Sequence, residues 1–161
     1  MDAPQPDFVI VGETHSDSVF NFSHITKAIN NVLQGSFLIG TNVDALDNAD
    51  QGFVPGCSAL VAPIETATGV KPYYLGKPNP LMMSSALSRL GAVKEQTVIL
   101  GDRMNTDILG GIESDIDTVL VLSGVTKRSD LKQFSFSPSC ILQGVDDLLD
   151  VLVIRHFNKE T

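Results

Sequence analysis

The stretch TVILGDRMNTDILGGI, residues 97–112, contains two carboxylates at the point where an apolar strand is predicted to become a helix. TVIL is typical of a buried strand, and the residues after Thr106 continue as a helix. Asp102 lies two residues beyond the strand, and Asp107 lies in the first helical turn if Asn105 or Thr106 caps it. In open α/β sheets ligands bind at the carboxyl ends of the strands, so both carboxylates are expected at that edge.

Two close carboxylates repel each other, and they stay ionised most easily when they share a hard cation such as Mg²⁺. The alternative is that they only suit a turn and a helix start, where Asp is common. Lys77, in the segment YYLGKPNP, favours the metal site, because a lysine at the same sheet edge can neutralise phosphate oxygens. The order strand–GKP–helix, then strand–GDxxxTD–helix, is more specific than either half.

Short apolar runs alternate with helical patterns along the chain, which predicts an α/β fold with a parallel, Rossmann-like sheet and helices on both faces. Buried strands are predicted at 7–12, 36–40, 97–100, 118–122 and 140–144, with a short strand before Lys77. Helices are predicted at 22–34, at 57–68 with a kink or delay at Pro63, from Pro80, after Thr106 and from about Val145. The first helix is predicted to bury one face, formed by Phe22, Ile25, Ile29, Val32 and Leu33.

Composition restricts the class of protein. The 161 residues suit one domain or two small lobes, with a boundary expected near residues 69–76. The polar segment 41–56 is long for a connector and is predicted to be a working loop. A net charge of −8 argues against a nucleic-acid partner. No apolar run reaches the length of a membrane span and no signal peptide is evident, so we expect a cytoplasmic protein without a membrane partner.

On these motifs the chain resembles the haloacid dehalogenase (HAD) superfamily, in its NagD-like or nitrophenylphosphatase-like branch. GKPNP resembles the third motif of that branch, and GDRMNTDILGGI with TVLVLSGVT resembles its fourth motif and the strand behind it. Upstream, PDFVIVG, FLIGTNVD and GFVPGCSALVAPIETATGVKPYYLGKP resemble the second part of the cap and its return to the core. The resemblance covers about residues 6–153 and implies a partial cap at 6–70, the C-terminal half of a HAD-like core at 71–155, and a tail at 156–161.

The resemblance implies a Mg²⁺-dependent phosphohydrolase that acts on a small phosphorylated metabolite through an aspartyl-phosphate intermediate. It implies that Asp102 binds Mg²⁺, directly or with Asp107 assisting through water. It implies that Lys77 steadies the nucleophile and the transferring phosphoryl group. Loop or substrate-facing roles are implied for the remaining motif and cap positions: Asn42, Asp44, Gly76, Gly101, Asn105 and Thr106.

The family's nucleophile belongs to a D-x-D motif at the end of an early core strand, and we find no counterpart for it. Asp115-Ile116-Asp117-Thr118 copies the letters but precedes its strand, so it is expected at the amino edge, away from Asp102. Glu13 and Asp17 follow a strand at the wrong spacing. We therefore expect this chain to be inactive alone. The alternative is a non-catalytic binding or regulatory module that keeps the fold.

In the family, the strand TVIL lies beside the strand that carries the nucleophile. Without that neighbour, TVIL would keep a row of unpaired backbone groups along an apolar edge, which is a template for pairing with another chain. We expect a homodimer through this edge, or a rearranged pairing, rather than a monomer.

Overall fold

Strands and helices alternate along residues 5–14, 16, 18–49 and 52–149, which are the residues that the computed structural model describes. The chain divides into two compact units, Met1–Gly76 and Lys77–Thr161. The mixed α/β class with parallel sheets is as predicted. Among the described residues, no helix has both the length and the apolar character that crossing a membrane requires. The elements, in chain order, are β1 (Phe8–Val11), α1 (Phe22–Leu33), β2 (Phe37–Gly40), β3 (Leu46–Ala49), β4 (Gly52–Pro55), α2 (Cys57–Thr68), β5 (Tyr73–Tyr74), α3 (Pro80–Leu90), β6 (Val98–Gly101), α4 (Leu109–Glu113), β7 (Asp117–Val121) and β8 (Cys140–Leu142).

The first unit is built on a parallel sheet in the order β1-β2-β5, against which α1 and α2 pack. α1 begins where the Asn21 side chain accepts a hydrogen bond from the backbone N–H of His24 at 3.0 Å. α2 runs without interruption through Pro63, so the predicted delay at that residue is wrong. The core of the unit combines both helices with β2, through Val32, Leu38, Cys57, Val61 and Ile64.

Burial in this unit differs from the sequence prediction. β1 is not buried throughout, because Phe8 and Ile10 are exposed on the side of the sheet away from α1 and α2. In α1, Phe22 and Leu33 are exposed, while Ile25 and Ile29 pack against the core as predicted. Both helices contribute to one core, so helices on both faces are not seen for this sheet within the described residues.

Residues 41–56 contain a β-hairpin and not only a loop. β3 and β4 pair antiparallel, with Leu46 opposite Pro55 and Ala49 opposite Gly52. Leu46 and Phe53 are exposed, so the hairpin is held by backbone pairing and does not bury alternate apolar side chains. The sequence therefore lacks the alternation of apolar and polar residues from which a strand is predicted. This explains why its composition is typical of a loop.

The second unit carries the predicted helix and strands of the motifs. α3 begins at Pro80, where the Asn79 side chain accepts a hydrogen bond from the Leu81 N–H at 2.9 Å. β6, β7 and β8 form a parallel sheet in that order, so β6 lies at an edge of the described sheet. Leu120 packs on one face of this sheet and Val119 on the other. Any part of the predicted closing helix beyond residue 149, and the predicted tail, fall on residues 150–161, which lie outside the described residues.

Candidate active site

The chain leaves β6 at Gly101 and makes one wide π-type turn, Met104–Ile108, before α4. Its defining hydrogen bond joins the Ile108 N–H to the carbonyl of Arg103 at 3.1 Å. Because the helical turns begin at Met104, neither Asn105 nor Thr106 is the helix cap, and that prediction is wrong. Such wide turns are frequent at functional sites. Here the turn places the Asp107 side chain next to the backbone of Asp102 and Arg103.

Asp107 is almost completely buried, with 5% of its surface exposed. Its Oδ2 accepts hydrogen bonds from the backbone N–H groups of Asp102 and Arg103, both at 3.1 Å. Its Oδ1 accepts from the ammonium group of Lys77 at 2.6 Å. Both oxygens of this carboxylate are therefore engaged by the protein itself, and Lys77 supplies the balancing charge.

The structure brings Lys77 to Asp107, but the predicted reason, a preceding strand in the same sheet, is wrong. The strand before Lys77 is β5, which pairs with β2 in the first unit and does not belong to the β6-β7-β8 sheet. Lys77 belongs to the second unit and reaches Asp107 from the turn before α3, in which the Lys77–Pro78 peptide bond is cis. Its side chain is 43% exposed, so the ammonium group can contact a ligand while it remains paired with Asp107.

Asp102 is half-buried and is held by the segment that follows β7, which the sequence analysis quoted within TVLVLSGVT but did not assign to the site. Its Oδ2 accepts a hydrogen bond from the Val125 N–H at 2.8 Å. Its backbone carbonyl accepts one from the Thr126 N–H at 3.1 Å. The signal was present, since Gly124-Val125-Thr126 follows an apolar strand just as Gly101-Asp102-Arg103 does.

Two glycines leave the space that the carboxylates occupy. A Cβ on Gly101 would lie 2.2 Å from the Cβ of Asp107. A Cβ on Gly124 would lie 2.1 Å from Oδ2 of Asp102. Any side chain at either position would therefore displace an acid of the site. This gives the predicted residue Gly101 a concrete structural role.

The D-x-D sequence at 115–117 lies at the opposite edge of the sheet, as predicted. Asp117 is the first residue of β7 and pairs with Val98, the first residue of β6. Asp115 forms an ion pair with Lys94, and this hydrogen bond and the charge of Lys94 lower the pKa of the Asp115 carboxyl. Neither acid lies at the carboxyl end of β6, where Asp102 is found.

Three predicted residues lie in the first unit, where they organise the segment after β2. The Asn42 amide donates to Oε1 of Glu13 at 2.8 Å and accepts from the Asp44 N–H at 2.9 Å. A Cβ on Gly76 would lie 2.3 Å from the carbonyl oxygen of Thr41, so Gly76 permits close packing there. The substrate-facing roles of Asn42 and Asp44 stay predictions.

Asn105 and Thr106 lie inside the π-type turn of the second unit. Asn105 is exposed, and Thr106 is buried. Within the described part of the chain, the Thr106 hydroxyl has no hydrogen-bond partner. Their predicted contribution is therefore to the shape of the turn, and a direct role in the site stays a prediction.

The donor set fits Mg²⁺ better than a transition metal. Across the described ranges, no group of three or more His, Cys, Asp or Glu side chains converges as a metal cage. Mg²⁺ is commonly held by one or two carboxylates and completed by water and phosphate. In the part of the chain that the structure describes, the hydrogen bonds to the Asp102 carboxylate engage only Oδ2, so Oδ1 is the oxygen available to a cation.

Comparison with known proteins identifies relatives of this chain. A family model described as HAD-hydrolase-like matches residues 74–148. The chain is 43% identical over 145 residues to a dihydroxyacetone phosphatase of Corynebacterium glutamicum, covering 90% of this chain and 52% of the relative. It is 44% identical over 143 residues to the ribonucleotide monophosphatase NagD of Escherichia coli K12, covering 89% of this chain and 55% of the relative.

A solved structure shows the same fold. The 4-nitrophenylphosphatase of Thermotoga maritima superposes with a TM-score of 0.82 at 33% identity, covering 92% of this chain and 56% of that one. The chain thus spans about half the length of the curated relatives it matches. The family model, the identities and the superposition agree, and the chain belongs to the haloacid dehalogenase superfamily, in its NagD-like or nitrophenylphosphatase-like branch.

Proposed function

We propose that this chain forms the magnesium- and lysine-bearing half of a phosphatase active site that hydrolyses a small phosphomonoester. The observation that carries the proposal is the Lys77–Asp107 ion pair beside Asp102, where β6 ends. The relatives support it, because they are named as a dihydroxyacetone phosphatase and a ribonucleotide monophosphatase. The chemistry common to those names is the removal of a phosphate group.

In this proposal the two acids have different tasks. Asp102 would bind Mg²⁺ through Oδ1, since Oδ2 already accepts from the Val125 N–H. Asp107 would contribute through a water molecule, because both of its oxygens already accept hydrogen bonds. A bound Mg²⁺ supplies positive charge that stabilises the phosphoryl oxygens.

Lys77 would bind the phosphate group directly. A lysine ammonium group has three N–H donors, and the structure uses one of them for Asp107. The other donors remain for phosphoryl oxygens, and Asp107 fixes the position from which they act. Lys77 would therefore neutralise charge as it develops on the transferring group.

We assign no nucleophile to residues 1–161. In this proposal Asp102 is assigned to the cation, both oxygens of Asp107 already accept hydrogen bonds, and Asp115 and Asp117 lie at the other edge of the sheet. The isolated chain should therefore bind Mg²⁺ and release no phosphate. The aspartyl-phosphate route implied by the family would need a carboxylate from elsewhere.

The test combines metal binding with an activity assay. Binding of Mn²⁺, as a spectroscopic substitute for Mg²⁺, is measured by electron paramagnetic resonance for the wild type, Asp102→Asn and Asp117→Asn. We expect Asp102→Asn to weaken binding at least about tenfold. Asp117→Asn removes the same charge at the opposite edge and should change little. Equal loss in both variants would refute a site at Asp102.

Hydrolysis of an aryl phosphate with Mg²⁺ tests the second part of the proposal. We expect a rate indistinguishable from that of buffer, in the wild type and in Asp102→Asn. A turnover that depends on Asp102 would show that a nucleophile has been overlooked.

The alternative function is a non-catalytic module that keeps the fold and the metal site to bind or regulate. Both functions predict an inactive isolated chain, so activity cannot separate them. The coding sequence can: an in-frame D-x-D-G-T segment after an apolar strand, upstream of residue 1, would support the phosphatase, and its absence would support the module. The cytoplasmic location stays a prediction.

A further inference from the structure

The segment after β7, residues 124–126, makes a direct hydrogen bond to the carboxylate proposed to bind the cation. Consecutive residues of this segment hold Asp102 at two points: the Val125 N–H donates to Oδ2 at 2.8 Å, and the Thr126 N–H donates to the backbone carbonyl at 3.1 Å. One bond fixes the side chain and the other fixes the backbone beneath it. The orientation of Asp102 therefore depends on a segment that lies more than twenty residues away in sequence.

Thr126 extends this attachment to the start of the π-type turn. It is buried, with 7% of its surface exposed. Its hydroxyl oxygen accepts a hydrogen bond from the Met104 N–H at 3.4 Å, which is long and contributes less than the two bonds to Asp102. Thr126 thus contacts the residues on both sides of Arg103.

Gly124 acts through the space it leaves. A Cβ at this position would lie 2.1 Å from Oδ2 of Asp102 and 2.5 Å from its Cβ and Cγ. The backbone of Gly124 is not in the left-handed region, so alanine would introduce no conformational strain of its own. The expected consequence is that the Asp102 carboxylate is pushed away from the Val125 N–H.

We propose that residues 124–126 are a positioning element that orients the Asp102 carboxylate for the cation. Gly124 provides the space, while Val125 and Thr126 provide the hydrogen bonds. None of the three is a catalytic residue, because each acts through Asp102. The inference rests on the proposed function for its consequence in metal binding, but the orientation itself can be measured without metal.

The experiment compares Gly124→Ala with Gly144→Ala. Gly144 is the matched control, because a Cβ there would meet no atom within 4 Å and its backbone is also outside the left-handed region. In the metal-free protein we expect Gly124→Ala to shift the Val125 amide proton and the Asp102 carboxyl carbon in NMR spectra, since the hydrogen bond between them is lost. Gly144→Ala should leave both signals in place. Unchanged signals in Gly124→Ala would overturn the inference.

Titration with Mg²⁺ then measures the consequence. We expect Gly124→Ala to weaken affinity about tenfold, as for residues that orient a metal ligand. In the Asp102→Asn background the same change should have no further effect, whereas a general structural defect would weaken binding equally in both backgrounds. Additive effects, or affinity within twofold of the wild type, would overturn the inference.

The two proposals fail in different ways. If the wild type shows no Mg²⁺-dependent shift at Asp102, the proposed function is refuted, and the metal-free spectra still decide whether Gly124 sets the carboxylate's orientation. If Gly124→Ala does not fold, Thr126→Val replaces it. Thr126→Val should shift the Met104 amide and weaken Mg²⁺ binding about threefold, and Thr126→Ser should restore both. Failure of serine to restore them would overturn the inference.

Discussion

Asp107 should be the acid on which the stability of the site depends, although Asp102 is the acid proposed to bind metal. We expect Asp107→Asn to lower the free energy of unfolding by about 2 kcal/mol, and Asp102→Asn by less than about 1 kcal/mol. Both substitutions remove one negative charge from the same loop. They differ in the number of described protein groups that bind the carboxylate, which is three for Asp107 and one for Asp102.

The magnitudes follow from the partners of each acid. Asparagine at 107 keeps one oxygen for the two backbone N–H groups, but it presents an amide N–H₂ to the Lys77 ammonium group. Losing one partner of a fully buried ion pair costs about 3–5 kcal/mol. The Lys77 side chain is 43% exposed, so water compensates part of the loss and the expected cost is smaller. Asparagine at 102 keeps an oxygen for the Val125 N–H, and it relieves repulsion between the two acids.

Urea titration in metal-free buffer at neutral pH tests this difference. The chain has two compact units, so unfolding is followed through the amide NMR signals of β7, which report the second unit. Asp117→Asn serves as the control for loss of charge at the opposite edge. Equal destabilisation by Asp102→Asn and Asp107→Asn would refute the assignment of the structural role to Asp107. So would a change below about 0.5 kcal/mol in Asp107→Asn.

Three further outcomes are expected. Asp115 has a φ of 57°, so Asp115→Gly should unfold at a higher urea concentration than Asp115→Ala, and equal midpoints would contradict this backbone argument. Lys94→Gln should raise the lowered pKa of the Asp115 carboxyl in a ¹³C titration, and an unchanged titration would exclude the ion pair. The pair stabilises the fold above pH 3.8, and this stabilisation is lost as the pH falls through the lowered pKa of Asp115. β6 lies at an edge of the described sheet, and we expect this edge to produce a homodimer or a rearranged pairing; light scattering that shows a monomer at all concentrations, with fast amide exchange at 97–100, would contradict this.

The sequence predicted well those features that depend on local chemistry. Asn79 and Pro80 fix the start of α3 through a side-chain cap and a preset backbone angle, both of which are visible in the sequence. The strands β6, β7 and β8 follow from short apolar runs between turn residues. The order of Lys77 and the two acids along the chain indicated a shared site, and the structure places Lys77 against Asp107.

The features that the sequence missed depend on contacts between distant segments. The π-type turn is defined by the hydrogen bond from the Ile108 N–H to the Arg103 carbonyl, but the ion pair on its Asp107 comes from Lys77, 30 residues away, and the periodicity of the sequence does not show that contact. The support from Val125 and Thr126 was missed for the same reason, since a backbone N–H is present at almost every residue and only the fold selects which one binds Asp102. Burial was misjudged at Phe22, which is exposed although it lies on the helical face that the sequence predicted to be buried.

The two acids of GDRMNTD differ in their partners, because among the described residues a cationic side chain pairs with Asp107 and none with Asp102. Asp107 is balanced by Lys77 and by two backbone N–H groups, so its charge is used to shape the loop. The Asp102 carboxylate accepts one backbone N–H and contacts no cationic side chain among the described residues. Asp102, Asp107 and Lys77 together therefore retain one excess negative charge. A site with that charge attracts a divalent cation and repels a phosphate dianion, and adding the cation reverses the sign. In the proposed phosphatase, phosphate should therefore bind after Mg²⁺, because until the metal is bound Lys77 is paired with Asp107 and no cationic side chain among the described residues balances the Asp102 carboxylate.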